Sequence, residues 1–416
     1  MKGINVIKKS CMRLCTLLCV LFAALLPAAF PVLAAETSQS SQAAPDLGIT
    51  SPGAILMEAQ TGTILYEQGS HTKLRPASVT KIMTILLAYE AVRDGRAHMD
   101  DMVTVSKNAA GYGGSTILLE EGEQISLENL IKGMCIASGN DAAIATAEYI
   151  GGSQEGFVEL MNQRAAELGM HDTHFVNPCG LDADGHETSA HDIALMSREL
   201  ITQFPEVTEY TTTWHAMMPH EWRSGHGETD MANTNKMIQS YEGMTGLKTG
   251  FTRLAKYSLS ATATRDDLTL IAVIMGAETK DIRTAEITSL LNYGFATYGF
   301  LHMETDQEKV GDVPVYGATA ESVPALISGD VNVLTTKETA LTPDALTREI
   351  TYAQDLSLPI QTGDTIGEIA FYAAGIQPED AAAATEVARL PLIAGADASK
   401  ASFGTTLLRL VNRLLR

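Results

Sequence analysis

Strand-like segments lie at 54–68 and again at 245–277, and most of the sequence between them has helical periodicity. Strands so far apart in the sequence can form one sheet only if the chain returns to the first strands after the helices. We therefore predict an α+β domain over 47–300, with one antiparallel sheet, flanking helices and a helical insert. The predicted strands are Ala54–Glu58, Thr63–Gln68, Thr245–Phe251, Tyr257–Arg265 and Leu268–Ala277. The predicted helices are 77–93, Leu127–Ile136, Ala142–Ile150, Gly156–Leu168, Ile193–Thr202 and Lys280–Gly299.

The segment 301–395 has a different sequence pattern, in which short β-prone runs alternate with Gly, Pro and Asp. This pattern predicts a small all-β domain. It contains no cluster of His, Cys or paired acids that would indicate a catalytic site. The predicted strands are Val310–Tyr316, Ser322–Ser328, Val331–Thr335, Arg348–Tyr352 and Thr365–Phe371.

Residues 1–34 have the order of a secretory signal peptide. Four cationic residues precede an apolar run from Leu14 to Ala29, and small residues follow at Ala34 and Ala35. A permanent transmembrane anchor is the alternative, because the run is close to the minimum length for spanning a bilayer. We expect cleavage after Ala34 or Ala35, export across the cytoplasmic membrane, and a flexible Ser/Gln/Ala-rich leader at 35–46.

The mature chain is strongly acidic. Loss of residues 1–34, which carry four cationic and no acidic side chains, changes the formal charge from −21 to −25. A chain of this charge without a basic stripe repels nucleic acid, so we expect no nucleic-acid partner. Only Cys135 and Cys179 remain of five cysteines, and they form either one disulfide or two separate buried thiols.

The C-terminal segment 400–416 is predicted to form an amphipathic helix. Five apolar residues from Phe403 to Leu414 share one face, and Arg409, Arg413 and Arg416 lie elsewhere on the helix. A helix of this kind binds a membrane surface, and we expect it to attach the exported protein to the outer face of the cytoplasmic membrane. The alternative is a terminal helix docked on the protein itself.

A Ser-x-x-Lys motif, Ser78-Val79-Thr80-Lys81, lies at the start of the strongest predicted helix. Side chains three residues apart share a helix face, so Ser78 and Lys81 lie within reach of each other. A serine hydroxyl becomes a good nucleophile when a neighbouring base takes its proton. Lysine is such a base when burial or nearby cations favour its neutral form.

Two further motifs follow in the chain. Ser138-Gly139-Asn140 lies between two apolar helices, where a turn would project a hydroxyl and an amide into a cleft. Lys248-Thr249-Gly250 lies on a predicted strand that an extended peptide can join by its edge. Its cation and hydroxyl suit a terminal carboxylate, and Gly250 permits close approach of another backbone.

The three motifs in this order resemble the signature of the penicillin-recognising serine enzymes, which include penicillin-binding proteins and class A β-lactamases. The β domain and the C-terminal helix are similar to the layout of low-molecular-mass D,D-carboxypeptidases. The resemblance implies the penicillin-binding fold and hydrolysis of the terminal D-alanine from peptidoglycan stem pentapeptides through an acyl-enzyme. The segments that resemble this subfamily are Gly53–Gly62, Leu74–Thr84, Lys132–Ala143, His174–Asp192 and Met244–Thr252.

The resemblance also implies a role for each motif residue. Ser78 would be the acylated nucleophile, Lys81 its general base and Ser138 an aid to proton transfer. Asn140 would position the substrate. The terminal carboxylate would be bound by Lys248 and Thr249, with added charge from Arg253, and the oxyanion hole would use the N–H groups of Ser78 and Phe251. β-Lactams would act as covalent inhibitors, and no metal or organic cofactor is implied. Cys135, Cys179 and Lys256 depart from the residues usual at their positions.

Two metal-like patterns carry little weight. Asp182-Ala183-Asp184-Gly185 looks like the start of a calcium loop, but the later ligand positions of an EF-hand are missing. A zinc peptidase is the other alternative, yet no histidine pair has the HExxH spacing. The histidines concerned are His171, His174, His215, His220 and His226.

Three other functions compete with the carboxypeptidase. A class A β-lactamase needs a deacylating Glu in a Glu-x-x-Leu-Asn pattern, which is missing between Asn140 and Lys248. A D,D-endopeptidase that acts on cross-links uses the same motifs, so the sequence leaves it open. A wall-binding protein with an idle catalytic fold is disfavoured, because all three motifs are intact.

Overall fold

The computed structural model describes residues 45–222, 224–338, 341–374 and 384–404. The predicted signal peptide, most of the predicted leader and most of the predicted C-terminal helix lie outside these residues. Within the described ranges, no helix combines the length and the apolar character needed to cross a membrane.

The helices of the described chain lie mainly between the two groups of strands that build the large sheet. A 3-10 turn at Ala77–Thr80 leads directly into the first α-helix. In chain order, the α-helices are α1 (Lys81–Arg93), α2 (Lys107–Ala110), α3 (Leu127–Ile136), α4 (Asn140–Gly151), α5 (Gln154–Glu167), α6 (Ala190–Gln203), α7 (Thr208–Thr211) and α8 (Lys280–Thr297).

The strands form one large sheet, two small two-stranded sheets and the β domain. Those up to residue 277 are β1 (Gly53–Glu58), β2 (Ile64–Gln68), β3 (Met102–Thr104), β4 (Gln124–Ser126), β5 (His215–Trp222), β6 (Gly225–Ala232), β7 (Met244–Thr252), β8 (Lys256–Arg265) and β9 (Leu268–Ala277). The later strands are β10 (Tyr298–Met303), β11 (Lys309–Pro314), β12 (Ser322–Ile327), β13 (Val331–Thr336), β14 (Leu346–Tyr352), β15 (Thr365–Ala374) and β16 (Ala384–Ala394).

The large sheet confirms the predicted closure between distant strands. Its order is β2-β1-β9-β8-β7, and all neighbours are antiparallel. Each residue of β1 is buried, because the sheet is covered on both faces. Ile55 and Met57 join a core with α1, α4 and α6, whereas Ala54 and Leu56 join a core with α8. This order leaves β7 at one edge, beside the 3-10 turn.

The C-terminal strands confirm the predicted all-β domain. β11-β12-β16-β15-β14 form an antiparallel sheet, and β10 pairs separately with β13. The side chain of Lys337 donates to the carbonyl of Phe295 at the end of α8 (2.7 Å), which ties this domain to the first. The predicted boundaries at 300 and 395 remain predictions.

One helix end was wrong in the sequence analysis. The last helix was predicted to reach Gly299, but α8 ends at Thr297, because Tyr298 adopts an extended backbone and starts β10. The pairing of β10 with β13 satisfies the backbone groups that another helical turn would have used.

The β5–β6 hairpin and β16 were missed. β5 contains Pro219, and both hairpin strands have few β-branched residues, so their local propensity for strands is low. The hairpin is fixed by packing, since Met218 and Met231 are buried in the core beside the helices. β16 likewise contains Pro391, although it pairs with both β12 and β15.

Candidate active site

The Ser-x-x-Lys motif lies at the junction of the 3-10 turn and α1. Ala77, the residue before Ser78, has a left-handed backbone (φ 50°), which is unfavourable for a side chain with a Cβ. Lys81 is completely buried, and its Nζ lies 3.0 Å from the Oγ of Ser78. The predicted Ser–Lys pair is therefore formed, inside the protein and not on its surface.

Two carbonyl oxygens accompany Ser78 around the amine of Lys81. Its Nζ donates to the Oδ1 of Asn140 (2.6 Å) and to the backbone carbonyl of Cys179 (2.7 Å). Both oxygens can only accept hydrogen bonds, so each of them accepts from one N–H group of the amine. The remaining position of the nitrogen, a lone pair in the neutral amine, faces the hydroxyl of Ser78. This arrangement suits transfer of the serine proton to Lys81.

Burial also favours the neutral amine. Removal of Lys81 from water lowers its pKa to about 8, although Cys179 and Asp141 act weakly in the opposite direction. A lysine with this pKa exists partly as the free base near neutral pH. Lys81 therefore combines the position and the protonation state required of a general base.

The Ser138-Gly139-Asn140 turn connects α3 to α4. Ser138 has a left-handed backbone (φ 63°), and its buried hydroxyl accepts a hydrogen bond from the Nζ of Lys248 (2.8 Å). Asn140 begins α4 and contacts Lys81, as described above. One turn thus links both lysines, with Ser138 on one and Asn140 on the other.

Lys248, Thr249 and Gly250 lie on the edge strand β7. Lys248 is buried, and its Nζ also donates to the carbonyl of Thr249 (3.0 Å). The hydroxyl of Thr249 donates to that of Thr234 (2.7 Å). The strand carries a cation and a hydroxyl side by side, as the sequence predicted.

Gly250 and Gly180 allow two segments to touch the backbone around Ser78. A Cβ on Gly250 would lie 2.9 Å from the carbonyl oxygen of Pro76 and 3.3 Å from the nitrogen of Ser78. A Cβ on Gly180 would lie 1.9 Å from the carbonyl oxygen of Ala77, and Gly180 is left-handed (φ 91°). Any larger residue at either position would displace the turn that carries Ser78.

Arg283 is a buried cation that the sequence analysis did not single out. It lies on α8. Burial above all, with smaller contributions from Lys81 and Arg283, lowers the pKa of Lys248 well below the usual value. These groups oppose the charge of Lys248, so an anion bound beside it would favour its cationic form. Arg283 belongs to no short motif, so no local signal indicated it.

A second missed element is the segment Gly113–Glu123, here called the 113–123 segment. The carbonyls of Gly113 and Ser115 accept from the side-chain and backbone amides of Asn140 (2.7 Å each). The buried carboxylate of Asp141 accepts from the N–H groups of Ile117 (3.0 Å) and Leu119 (3.1 Å). The segment thereby fixes the first two residues of α4.

His186 supports the Ser-x-x-Lys turn from behind. Its Nδ1 accepts from the N–H of Val176 (2.9 Å), so the Nε2 of the neutral ring carries the proton and donates to the hydroxyl of Thr80 (2.9 Å). Burial lowers the pKa of His186 to about 4, which keeps the ring neutral at neutral pH. Thr80 lies inside the motif, between Ser78 and Lys81.

Phe251 and Arg253 lie further along β7 and in the following turn. Phe251 is half exposed and its ring packs against that of Tyr257 (centroids 4.4 Å apart). Arg253 is exposed in the turn between β7 and β8. Its predicted contribution to carboxylate binding remains a prediction.

The two mature cysteines are separate buried thiols in the structure. This decides the alternatives that the sequence left open. The thiol of Cys179 donates to the Oδ1 of Asn177 at 3.4 Å. Burial raises the pKa of the Cys135 thiol to about 12, so it stays protonated.

Two family sequence models match the chain. One, described as D-alanyl-D-alanine carboxypeptidase, matches residues 37–279. The other, described as the C-terminal domain of penicillin-binding protein 5, matches residues 302–397. The two matches cover the two regions with different strand patterns.

Individual proteins are similar over most of the chain. The D-alanyl-D-alanine carboxypeptidase DacF of Bacillus subtilis is 36% identical over 375 residues, which cover 89% of this chain and 92% of the relative. The crystal structure of penicillin binding protein 5 from Haemophilus influenzae is 28% identical and has a TM-score of 0.67, covering 85% of this chain and 98% of the other. Penicillin-binding protein D2 from Listeria monocytogenes, solved with ampicillin bound, is 30% identical with a TM-score of 0.53, covering 60% and 100%.

The contact of Gly180 with the nucleophile's backbone can be tested with a matched pair of alanine variants. Gly180→Ala and Gly185→Ala both place alanine in a left-handed conformation, at a similar cost of about 1 kcal/mol. A Cβ on Gly185 would meet nothing nearer than 3.8 Å, whereas one on Gly180 collides with Ala77. We expect Gly180→Ala to slow labelling by a fluorescent penicillin roughly 100-fold, because a shift of about 1 Å misplaces Ser78.

Gly185→Ala should label nearly as fast as the parental protein, and circular dichroism should show both variants folded. Equal labelling rates for the two folded variants would contradict this account of Gly180.

Proposed function

The chain belongs to the D-alanyl-D-alanine carboxypeptidase family, and from this premise we propose that Ser78, activated by Lys81, attacks the peptide bond between the last two D-alanines of the peptidoglycan stem. The protein is a serine-type D-Ala-D-Ala carboxypeptidase, and the relatives that it matches are named D-alanyl-D-alanine carboxypeptidases. The observation that carries the proposed roles is the buried amine of Lys81, 3.0 Å from the hydroxyl of Ser78.

In the acylation step, the neutral amine of Lys81 takes the proton of Ser78 while the serine oxygen bonds to the carbonyl carbon of the scissile amide. The negative charge that develops on the carbonyl oxygen would be stabilised by the N–H groups of Ser78 and Phe251. Collapse of this intermediate breaks the C–N bond. The proton then passes to the departing D-alanine nitrogen, and an ester on Ser78 remains.

Ser138 is suited to carry that proton. Its hydroxyl accepts from Lys248, so its own hydrogen is available to donate to the leaving nitrogen. Ser138 would be reprotonated from the cationic Lys81, either directly or through a water molecule. In deacylation, Lys81 would take a proton from the attacking water and pass it to the Oγ of Ser78 as the ester bond breaks, which releases the shortened peptide and restores the free enzyme.

The terminal carboxylate of the substrate would bind beside Lys248 and Thr249. Lys248 and Thr249 offer an ammonium group and a hydroxyl, and Arg283 adds positive potential from α8. An anion bound there offsets the cost of burying these cations. Asn140 would orient the substrate amide through its side chain, which Gly113 and Lys81 already hold.

A β-lactam presents a strained amide and a carboxylate in one molecule, and it should therefore acylate Ser78. Asp141 directly follows the Ser138-Gly139-Asn140 motif. Its carboxylate accepts hydrogen bonds from backbone N–H groups, so it is poorly placed to activate a deacylating water. This supports slow release of penicillin, as expected of a penicillin-binding protein and in contrast to a β-lactamase.

Membrane attachment through the C-terminal segment is also proposed. Phe403, on the predicted apolar face, and Tyr316 are each 84% exposed. They flank the point where the N–H of Ala401 donates to the carbonyl of Gly317 (2.8 Å). Two exposed aromatic rings on one edge, next to a basic amphipathic segment, suit the interface of a lipid bilayer.

Labelling by penicillin tests the nucleophile. We expect the intact mass of the mature protein to increase by one penicillin, and peptide mapping to find the adduct on Ser78. Ser78→Ala should neither be labelled nor release D-alanine from a pentapeptide. Ser289→Ala, a half-buried serine on α8, is the matched control and should behave like the parental protein. An adduct that persists in Ser78→Ala would contradict the mechanism.

The pH dependence of acylation tests the base. Because Lys81 must be neutral, and burial lowers its pKa to about 8, the acylation rate should rise with pH and level off above about 8. Lys81→Arg keeps a cation that cannot lose its proton, so its rate should fall by roughly 10²–10⁴. Stopped-flow measurements with a chromogenic β-lactam give these rates. An acylation rate that stays constant or falls as the pH rises to about 8 would exclude Lys81 as the base.

Membrane contact can be tested with tryptophan fluorescence. Tyr316→Trp should be quenched by vesicles of anionic phosphatidylglycerol and brominated phosphatidylcholine, because a ring at the interface meets the brominated chains. Ile350→Trp, on β14 at the other edge of the sheet, is the control and should be quenched much less. A protein that stays in the supernatant when such vesicles are sedimented would contradict membrane attachment itself. Bound protein with equal quenching at both positions would contradict the orientation.

A further inference from the structure

The tip of the β5–β6 hairpin is fastened to the 113–123 segment by two side chains. The indole Nε1 of Trp222 donates to the carbonyl of Leu118 (3.1 Å). The Nδ1 of His220 lies 2.7 Å from the Oε1 of Glu123, and the carboxylate accepts this hydrogen bond. The rings of His220 and Trp222 stack on each other, with centroids 4.7 Å apart.

The His220–Glu123 contact is unusually deep for polar groups. Both side chains are completely shielded from solvent. The second oxygen of Glu123 accepts from the N–H of Glu120 (3.0 Å), so the carboxylate is satisfied within its own segment as well. Loss of His220 would leave a buried carboxylate without its main partner, which is costly. The contact therefore holds the end of the 113–123 segment in one position.

The other side of the same segment holds the start of α4. Leu118, which Trp222 holds, is left-handed (φ 65°) and lies between Ile117 and Leu119. The N–H groups of these two neighbours both donate to Asp141. Earlier in the segment, Gly113 and Ser115 bind the amides of Asn140. A displacement of Leu118 would be transmitted to Asn140 through backbone hydrogen bonds of one short segment.

We propose that His220 and Trp222 are positioning residues for the acylation reaction. The hairpin tip fixes the 113–123 segment, the segment fixes Asn140, and Asn140 holds the amine of Lys81 at 2.6 Å. Neither residue touches the nucleophile or its base. This inference rests on the proposed roles of Ser78 and Lys81. It adds that the β5–β6 hairpin, from a different part of the chain, influences the acylation rate.

Substitution of the two tryptophans provides the central test. Trp222→Phe retains an aromatic ring to stack on His220 and removes only the N–H group. Trp214→Phe removes the same group at the other end of the hairpin, where the ring contacts His215, and is the matched control. We expect Trp222→Phe to lower kcat and the penicillin acylation rate about three- to tenfold, with KM changed less than twofold. Trp214→Phe should stay within twofold on every measure.

His220 is tested by rescue. His220→Asn keeps an N–H donor close to the position of Nδ1 and should retain most of the acylation rate, whereas His220→Leu should lose it. Thermal unfolding and the fraction of protein that takes up one penicillin identify any variant that has simply unfolded. Rates are then compared per folded, labelled molecule.

The outcomes separate this inference from the proposed function. If the parental protein is not acylated, the roles of Ser78 and Lys81 fail first. If it is acylated and Trp222→Phe matches Trp214→Phe, the positioning role is wrong. A loss in Trp222→Phe that disappears when rates are expressed per folded molecule would also overturn it, because the hairpin would then contribute stability alone.

Discussion

The buried amine of Lys81 is the constraint on which the rest of the site depends. A lysine that is fully removed from water needs hydrogen-bond partners for its amine, and here they come from three separate parts of the chain. A reduction of its pKa to about 8 corresponds to roughly 3 kcal/mol against the charged form. Because Asn140 and Cys179 hold two N–H bonds, the third direction points to Ser78. The buried surroundings that favour the free base of Lys81 therefore also direct its lone pair toward Ser78.

In the proposed mechanism, Lys248 extends this arrangement to the substrate. It is buried on β7 and contacts Ser138, while Lys81 and Arg283 both disfavour its charge. A buried ammonium group at this position is costly without an anion to pair with it. A peptide that ends in a carboxylate supplies that anion, and a peptide that continues past this point does not. The electrostatics of the groove thus favour removal of a terminal residue.

Local patterns explain what the sequence predicted correctly. The helical period placed Ser78 and Lys81 on one face, and β-prone runs separated by turn residues identified the components of the large sheet. What the sequence missed depends on contacts between distant residues. The β5–β6 hairpin has poor strand propensity and is held by buried methionines, Arg283 acts through space from α8, and the 113–123 segment acts through its backbone. Backbone carbonyls carry no residue-type signal, so the partners of Asn140 could not be read from residue identities.

The same reasoning explains why unusual residues near the motifs leave the chemistry intact. Cys179 contacts Lys81 through its carbonyl oxygen, which any residue supplies, and its thiol turns instead to Asn177. Lys256 occupies a position where glycine is frequent in the family. The backbone there is left-handed (φ 57°), which explains why the family favours glycine at this position. The side chain of Lys256 pairs with Glu278 in an exposed ion pair. Gly180 behaves differently, since its missing side chain is itself the contact with Ala77. Tolerance to substitution at this site therefore follows from whether a residue acts through its backbone, its side chain or its lack of one.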